Sequence, residues 1–193
     1  MVLRGLEQLP DTFTYRQAMA AGLTHHRLYR LRDNGELEQV GRGLYRKVTA
    51  DLADFDLLEA TRRAPRATIC LLSALAHHGL TDAIPGRWDI ALPRGAWHPR
   101  LRPVFNWHSF DPATFEIGRT TFQIDHATII GLYDAPRTIV DSYRLRGALG
   151  PEVAHEALRR WLRARGQPAH LFAVAKEFPR AMPAVTNALD VLL

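Results

Sequence analysis

The sequence predicts a mixed α/β (α+β) protein in two parts: a winged helix-turn-helix over residues 1–50, then an α+β domain over 51–193 with a helical C-terminal end. Three observations predict it. Two short helix patterns meet at the small-residue turn Ala21-Gly22-Leu23-Thr24 and are followed at once by two strand patterns around Gly41-Arg42-Gly43. Beyond residue 55, strand and helix patterns are mixed. After Pro136 no strand pattern remains.

The elements follow in order. Leu3–Leu9 has the pattern of a short helix stopped by Pro10. Thr14 is an N-cap, and Gln17 three residues later completes a capping box. That helix turns Tyr15, Ala18 and Met19 inward and ends at Gly22. Thr24 caps the next helix, His25–Asp33, whose inward residues are Leu28 and Leu31 and which Asn34-Gly35 stops. Leu37–Val40 and Leu44–Val48 form a hairpin around the Gly-tipped turn. A boundary is expected near Val48-Thr49-Ala50-Asp51, where a basic segment gives way to the acidic stretch 51–56.

In the second part, Phe55–Arg63 is a helix stopped by Pro65, and Ser73–Gly79 a helix within an apolar run. Trp88–Leu92, Val104–Trp107, Thr121–Ile124 and Ala127–Leu132 are strand candidates. Asp134 with Pro136 at N1 opens a helix through Leu145, and Pro151 opens another to Arg165. Leu171–Phe178 and Ala184–Leu193 complete the chain.

Composition narrows the function classes. At 47% hydrophobic and 23% charged, the 193 residues can bury a core and are not those of a disordered chain. The longest uncharged stretch, Ala67–Thr81, is broken by His77, His78 and Gly79, so no membrane span is expected. Arg4 interrupts the N-terminus before any apolar leader, and the single Cys70 allows neither an internal disulfide nor a Cys-rich zinc site; a cytoplasmic location is expected. The net charge is +5, carried by 23 Arg against 2 Lys, a bias that a GC-rich genome also produces. It is unevenly spread: Arg16–Lys47 holds seven cations against three acids, leaving a net +1 for the other 161 residues. A basic excess confined to one short segment indicates a local anionic partner.

The arrangement of that segment points to double-stranded DNA. With Leu28 and Leu31 inward, His26, Arg27, Arg30 and Asp33 occupy the opposite face of the second helix, with Tyr29 at its edge. Thr24, His25 and His26 stand at the helix N-terminus, the end that meets base edges in such motifs. Arg27 and Arg30 suit guanine edges or phosphates. Arg42 sits at the wing tip, and Arg46 and Lys47 are expected to flank the duplex. Arg94, Arg100 and Arg102, in a Pro-rich loop among Trp88, Trp97 and Trp107, are expected as secondary contacts.

The runs Phe13-Thr14-Tyr15-Arg16-Gln17-Ala18, Gly22-Leu23, Leu28-Tyr29-Arg30-Leu31, Gly35-Glu36-Leu37 and Gly41-Arg42-Gly43-Leu44-Tyr45 resemble the N-terminal domain of AbiEi-type antitoxins. Ser73-Ala74-Leu75-Ala76-His77-His78-Gly79-Leu80, Trp88-Asp89-Ile90-Ala91-Leu92-Pro93-Arg94-Gly95 and Pro136-Arg137-Thr138-Ile139-Val140-Asp141 resemble motifs of the same family farther along, so that the likeness covers about residues 10–190. The resemblance implies a transcriptional repressor that binds its own operon promoter and opposes a nucleotidyltransferase-like toxin without sequestering it; the sequence leaves open a monomer or a homodimer on DNA. The Arg- and His-rich second helix departs from the family pattern and does not identify an operator.

Two other function classes compete with this reading. An interaction protein would hold the toxin directly. A metal-dependent nuclease would need an acid two residues before a lysine, but Tyr45 and Val174 precede Lys47 and Lys176. No His-Glu-x-x-His helix, Gly-x-Ser-x-Gly elbow or phosphate-cradling loop occurs, so neither a metal nor another cofactor is expected. Ser73 with His77, and Arg137 with Asp141, are helix-spaced pairs assigned to packing and ion pairing rather than catalysis.

Overall fold

The computed structural model describes residues 6, 8–48, 55–101, 104–125 and 128–192. It has the expected class, mixed α and β with two sheets and a helical C-terminal end. The chain divides into two compact units, 1–63 with 123–129, and 64–122 with 130–193. Of the boundary expected near residues 48–51, residues 49–51 lie outside the described residues, as does most of the helix expected at 3–9.

The first unit is built on β1 (Thr12–Thr14), α1 (Tyr15–Ala20), α2 (His25–Asp33), β2 (Leu37–Gly41), β3 (Leu44–Lys47) and α3 (Phe55–Arg63). The Thr14 capping box forms with both of its hydrogen bonds: the Gln17 amide donates to Thr14 Oγ1 at 3.1 Å, and the Thr14 amide to Gln17 Oε1 at 2.8 Å. The α1–α2 turn closes by the Leu23 amide donating to the Ala18 carbonyl at 3.0 Å and the Gly22 amide to the Met19 carbonyl at 3.0 Å. This pair of bonds requires a left-handed residue between them, and Gly22 at φ +83° provides it without the Cβ penalty. The core comprises Leu9, Phe13, Ala18, Leu23, Leu28, Leu31, Leu37 and Tyr45.

β1 was not foreseen. It pairs antiparallel with β3, Phe13 opposite Tyr45, so that β3 becomes the central strand of a three-stranded sheet ordered β1-β3-β2. Phe13 stacks on Tyr45 at 6.2 Å and fills the core at that end of α1. Tyr15, expected to point inward, is therefore 37% exposed.

A second sheet, ordered β6-β5-β4-β8-β7, is made of β4 (Thr68–Ile69), β5 (Trp88–Pro93), β6 (Phe105–Phe110), β7 (Arg119–Asp125) and β8 (Thr128–Tyr133) and belongs to the second unit except for residues 123–125 and 128–129. β4 runs parallel to β8 and antiparallel to β5. Its two residues are too few for a periodic signal, and the sequence reading missed it. The other strands match the expected ones with shifted ends. The helices are α4 (Leu71–His77), α5 (Ala135–Arg144), α6 (Arg146–Leu149), α7 (Pro151–Arg163), α8 (Pro168–Lys176) and α9 (Met182–Leu192). The Asp134 carboxylate accepts from the Arg137 amide at 2.8 Å and caps α5. Ala135 is the first helical residue, so Pro136 takes the second position rather than the first. α5 lies in the helical core with Ile139, Val140, Tyr143, Leu158, Trp161, Leu171, Phe178 and Leu189.

Arg137 and Asp141 belong to the interior of this unit. Arg137 is 0% exposed; its Nε donates to Asp141 at 2.9 Å, and its Nη1 donates to the carbonyls of Thr114 at 2.7 Å and Ile117 at 2.6 Å. The guanidinium also lies over the Tyr133 ring at 4.3 Å and the Phe178 ring at 4.4 Å. Asp141 accepts a second charge-assisted bond from Arg144 at 3.0 Å. The pair therefore fixes α5 to the 114–117 segment. Burial pushes the Tyr133 phenol far above its usual range, with no role in proton transfer indicated.

Candidate nucleic-acid interface

α2 is a nine-residue helix anchored by Leu28 and Leu31, both buried. Its N-cap is Thr24, whose hydroxyl accepts the Arg27 amide at 3.3 Å. With one face fixed in the core, the other is presented to solvent: Thr24, His25, His26 and Arg30 are exposed and Arg27 is half-buried. These are five of the residues assigned from sequence; His26 and Arg30, one turn apart, share the face opposite Leu28 and Leu31, and Thr24, His25 and Arg27 lie around the first turn of the helix.

The electrostatics of that surface are one-sided. No carboxylate occurs from Arg16 through Arg32. Among the described residues, Arg27 and Arg30 form no ion pair. Arg32, by contrast, is engaged: it donates to Asp33 at 2.7 and 2.9 Å and lies 4.5 Å from the Tyr29 ring. The Asp33 carboxylate raises the Arg32 pKa above its ordinary value.

Aromatic groups flank the N-terminus of α2. Tyr15 stands edge-on to His25 at 6.0 Å, and His25 lies 4.3 Å from Tyr29. Sequence reasoning missed Tyr15 as a surface group. The available signal was its place as the first residue of a six-residue helix, where little of the stripe can reach a core. Tyr45 is buried as expected; burial raises its phenol pKa, and a hydrogen bond with Tyr29 adds to the shift.

The wing is the β2–β3 hairpin, with a register irregularity between Gln39 and Gly41. Arg42 is exposed at its tip. Arg46 and Lys47 do not stand where the sequence put them. Arg46 is only 6% exposed, with its guanidinium 4.9 Å from the Phe55 ring. Lys47 Nζ donates to the Leu9 carbonyl at 2.6 Å and lies 4.0 Å from the Asp11 carboxylate. The reason is topological. The sequence suggested a two-stranded wing with one solvated face, whereas β1 makes β3 central and α3 brings Phe55 to Arg46. Both residues brace the domain rather than flank a ligand.

The secondary candidates belong to the second unit. Arg94 and Arg100 are exposed, Arg94 3.7 Å from Asp111. Trp97 is 65% exposed. Arg102 lies outside the described residues. Among the described residues, no group of three or more His, Cys, Asp or Glu is placed to hold a metal ion, and no helix is long and apolar enough to cross a membrane. Cys70 is buried, and desolvation pushes its thiol well above the usual range, which disfavours the nucleophilic thiolate. Ser73 Oγ accepts the Asp89 amide at 2.8 Å and serves packing between α4 and β5.

Comparison with known proteins adds two findings. The fold is similar to the crystal structure of the RV2827C protein from Mycobacterium tuberculosis, with a TM-score of 0.59 and 17% identity over 95% of this chain and 73% of that one; at that identity the likeness is one of fold. No curated protein matches the chain by sequence. The segment from residue 2 to residue 46, which contains α1, α2, β2 and nearly all of β3, matches the family described as transcriptional regulator, AbiEi antitoxin.

Proposed function

We propose that this protein is a DNA-binding transcriptional repressor, the antitoxin of a toxin–antitoxin operon that represses its own promoter and counters a nucleotidyltransferase-like toxin. The observation that carries the reading is the α2 surface: Arg27 and Arg30 without carboxylate partners, beside exposed His25 and His26, on a helix held by Leu28 and Leu31 and followed by a wing tipped with Arg42. The family match of residues 2–46 supports it. Repression is by occupancy: α2 enters the major groove, Arg27 and Arg30 meet guanine edges or flanking phosphates, and Arg42 meets the backbone beside the wing. No covalent step is required. A homodimer would bind half-sites about 10 base pairs apart, or a multiple of that spacing.

The test is fluorescence anisotropy with the protein's own upstream duplex and a scrambled duplex at several salt concentrations. Selective binding is expected, with a slope of log affinity against log salt near 0.9 per neutralised phosphate. Arg27→Ala with Arg30→Ala should lose selectivity, each guanine contact being worth about 1–3 kcal/mol of discrimination. Retained selectivity in that variant would overturn the assignment of α2 as the reading helix. Equal, weak binding of both duplexes by the wild type would overturn the repressor reading.

A further inference from the structure

A hollow of about 420 Å³ opens on the first unit, lined by Thr14, Tyr15, Arg16, Gly43 and Arg62. It gathers the start of α1, the wing turn and the end of α3. Arg16 and Arg62 are both exposed, and among the described residues no carboxylate lines the hollow. Among the described residues neither arginine has a carboxylate partner. Arg62 is nevertheless held in place, because its Nη1 donates to the Arg42 carbonyl at 3.3 Å. A guanidinium has five N–H donors in a rigid fork, so this bond positions the group and leaves donors to spare.

Two uncompensated guanidinium groups beside one hollow raise its affinity for an oxyanion, and their fork geometry suits a tetrahedral phosphate. The hollow also adjoins the reading helix: Tyr15, on its rim, is the residue whose ring meets His25 at the start of α2. We infer that Arg16 and Arg62 together seat one backbone phosphate of the duplex whose groove receives α2. The inference rests on the DNA-binding reading above and adds to it a contact from α3, outside the helix-turn-helix. Such a contact sets register and contributes affinity but does not discriminate sequence.

The experiment uses the full chain as Arg16→Gln and as Arg16→Gln with Arg62→Gln. Arg62→Gln gives up the bond to the wing, whereas Arg16→Gln removes no hydrogen bond or ion pair of its side chain among the described residues, so the single variant remains informative if the wing loosens. Circular dichroism melts verify folding. The double variant is expected to bind the upstream and scrambled duplexes about tenfold more weakly, by the same factor. Its salt slope should fall by about 0.9, and its selectivity should stay that of the wild type. Unchanged affinity and slope overturn the proposal while leaving α2 as the reader. Loss of selectivity overturns it by making these residues base contacts. Inorganic phosphate, titrated at constant ionic strength, separates the two sources of the anion. Its failure to displace DNA from the wild type supports a backbone seat. Displacement from the wild type and not from the double variant marks a free-phosphate site and overturns the DNA seat. A wild type that binds neither duplex overturns the repressor reading and this proposal with it.

Discussion

In the first unit, Arg16, Arg27, Arg30, Arg42 and Arg62 have no carboxylate partner among the described residues. In the second, Arg137 and Arg144 share Asp141, Arg66 and Arg119 share Glu116, Arg159 and Arg160 share Glu156, and Arg160 also holds Asp82. The chain's arginine surplus is therefore used in two ways. Where carboxylates are supplied, arginine is structural. Where none is in reach, as at those five and at Arg87, Arg100, Arg146, Arg163, Arg165 and Arg180 of the second unit, the charge is left uncompensated among the described residues. The first unit contains its own exceptions, Arg32 with Asp33 and the buried Arg46 over Phe55.

The largest test of this contrast is Arg137→Met. Removing one partner of a buried, hydrogen-bonded ion pair should cost about 3–5 kcal/mol of stability, seen as a fall in the denaturant midpoint. DNA affinity of the remaining folded protein should be unchanged. A cost below about 1 kcal/mol would mean that the pair does not secure α5. Arg27→Ala with Arg30→Ala should do the reverse, moving stability by less than about 0.5 kcal/mol while abolishing selectivity. A large loss of stability there would break the distinction between the two uses of arginine.

Gly118→Ala sharpens the comparison at the seat of Arg137. Gly118 has φ +65°, and an added Cβ would stand 2.5 Å from Arg137 Cβ and 2.9 Å from Asp134 Oδ1. A cost of about 1–3 kcal/mol is expected in the same denaturant measurement.

The smallest effect concerns pH. Burial first, and then His78, lower the His77 pKa below its ordinary value. Its ring also faces Phe122, and His78 Nε2 is bonded to the Tyr133 carbonyl at 2.7 Å. Above about pH 6.5 the group is neutral folded or unfolded and has no effect. As pH falls below that, the unfolded chain takes up the proton first and stability declines. His77→Gln should flatten this decline in pH-dependent melts; an unchanged slope would assign it to other groups.

Much of the first unit was legible from neighbouring residues. Thr14 with Gln17, Thr24, Gly22 and Gly35 gave the boundaries of α1 and α2, and Leu28 and Leu31 gave the buried face of α2. These signals act across three or four residues. The pairing of β1 was not legible, because Thr12–Thr14 is short and its partner strand lies some thirty residues on. From that one omission came the misplacement of Arg46 and Lys47 and the inward assignment of Tyr15. The spacing of Arg137 and Asp141 suggested an ion pair, but spacing alone cannot supply burial. Arg16 was visible as the first cation of the basic segment, but its proximity to Arg62, some 46 residues on, was not.

The sequence by itself determined the caps, the turn, the solvent face of α2 and the segment in which positive charge accumulates, since each depends on local backbone geometry or composition. Tertiary structure decided which arginines are paired, which are covered and which open onto a common hollow. Those outcomes depend on contacts between residues far apart in the chain, where burial and the nearest carboxylate, rather than residue type, set what a guanidinium group can do.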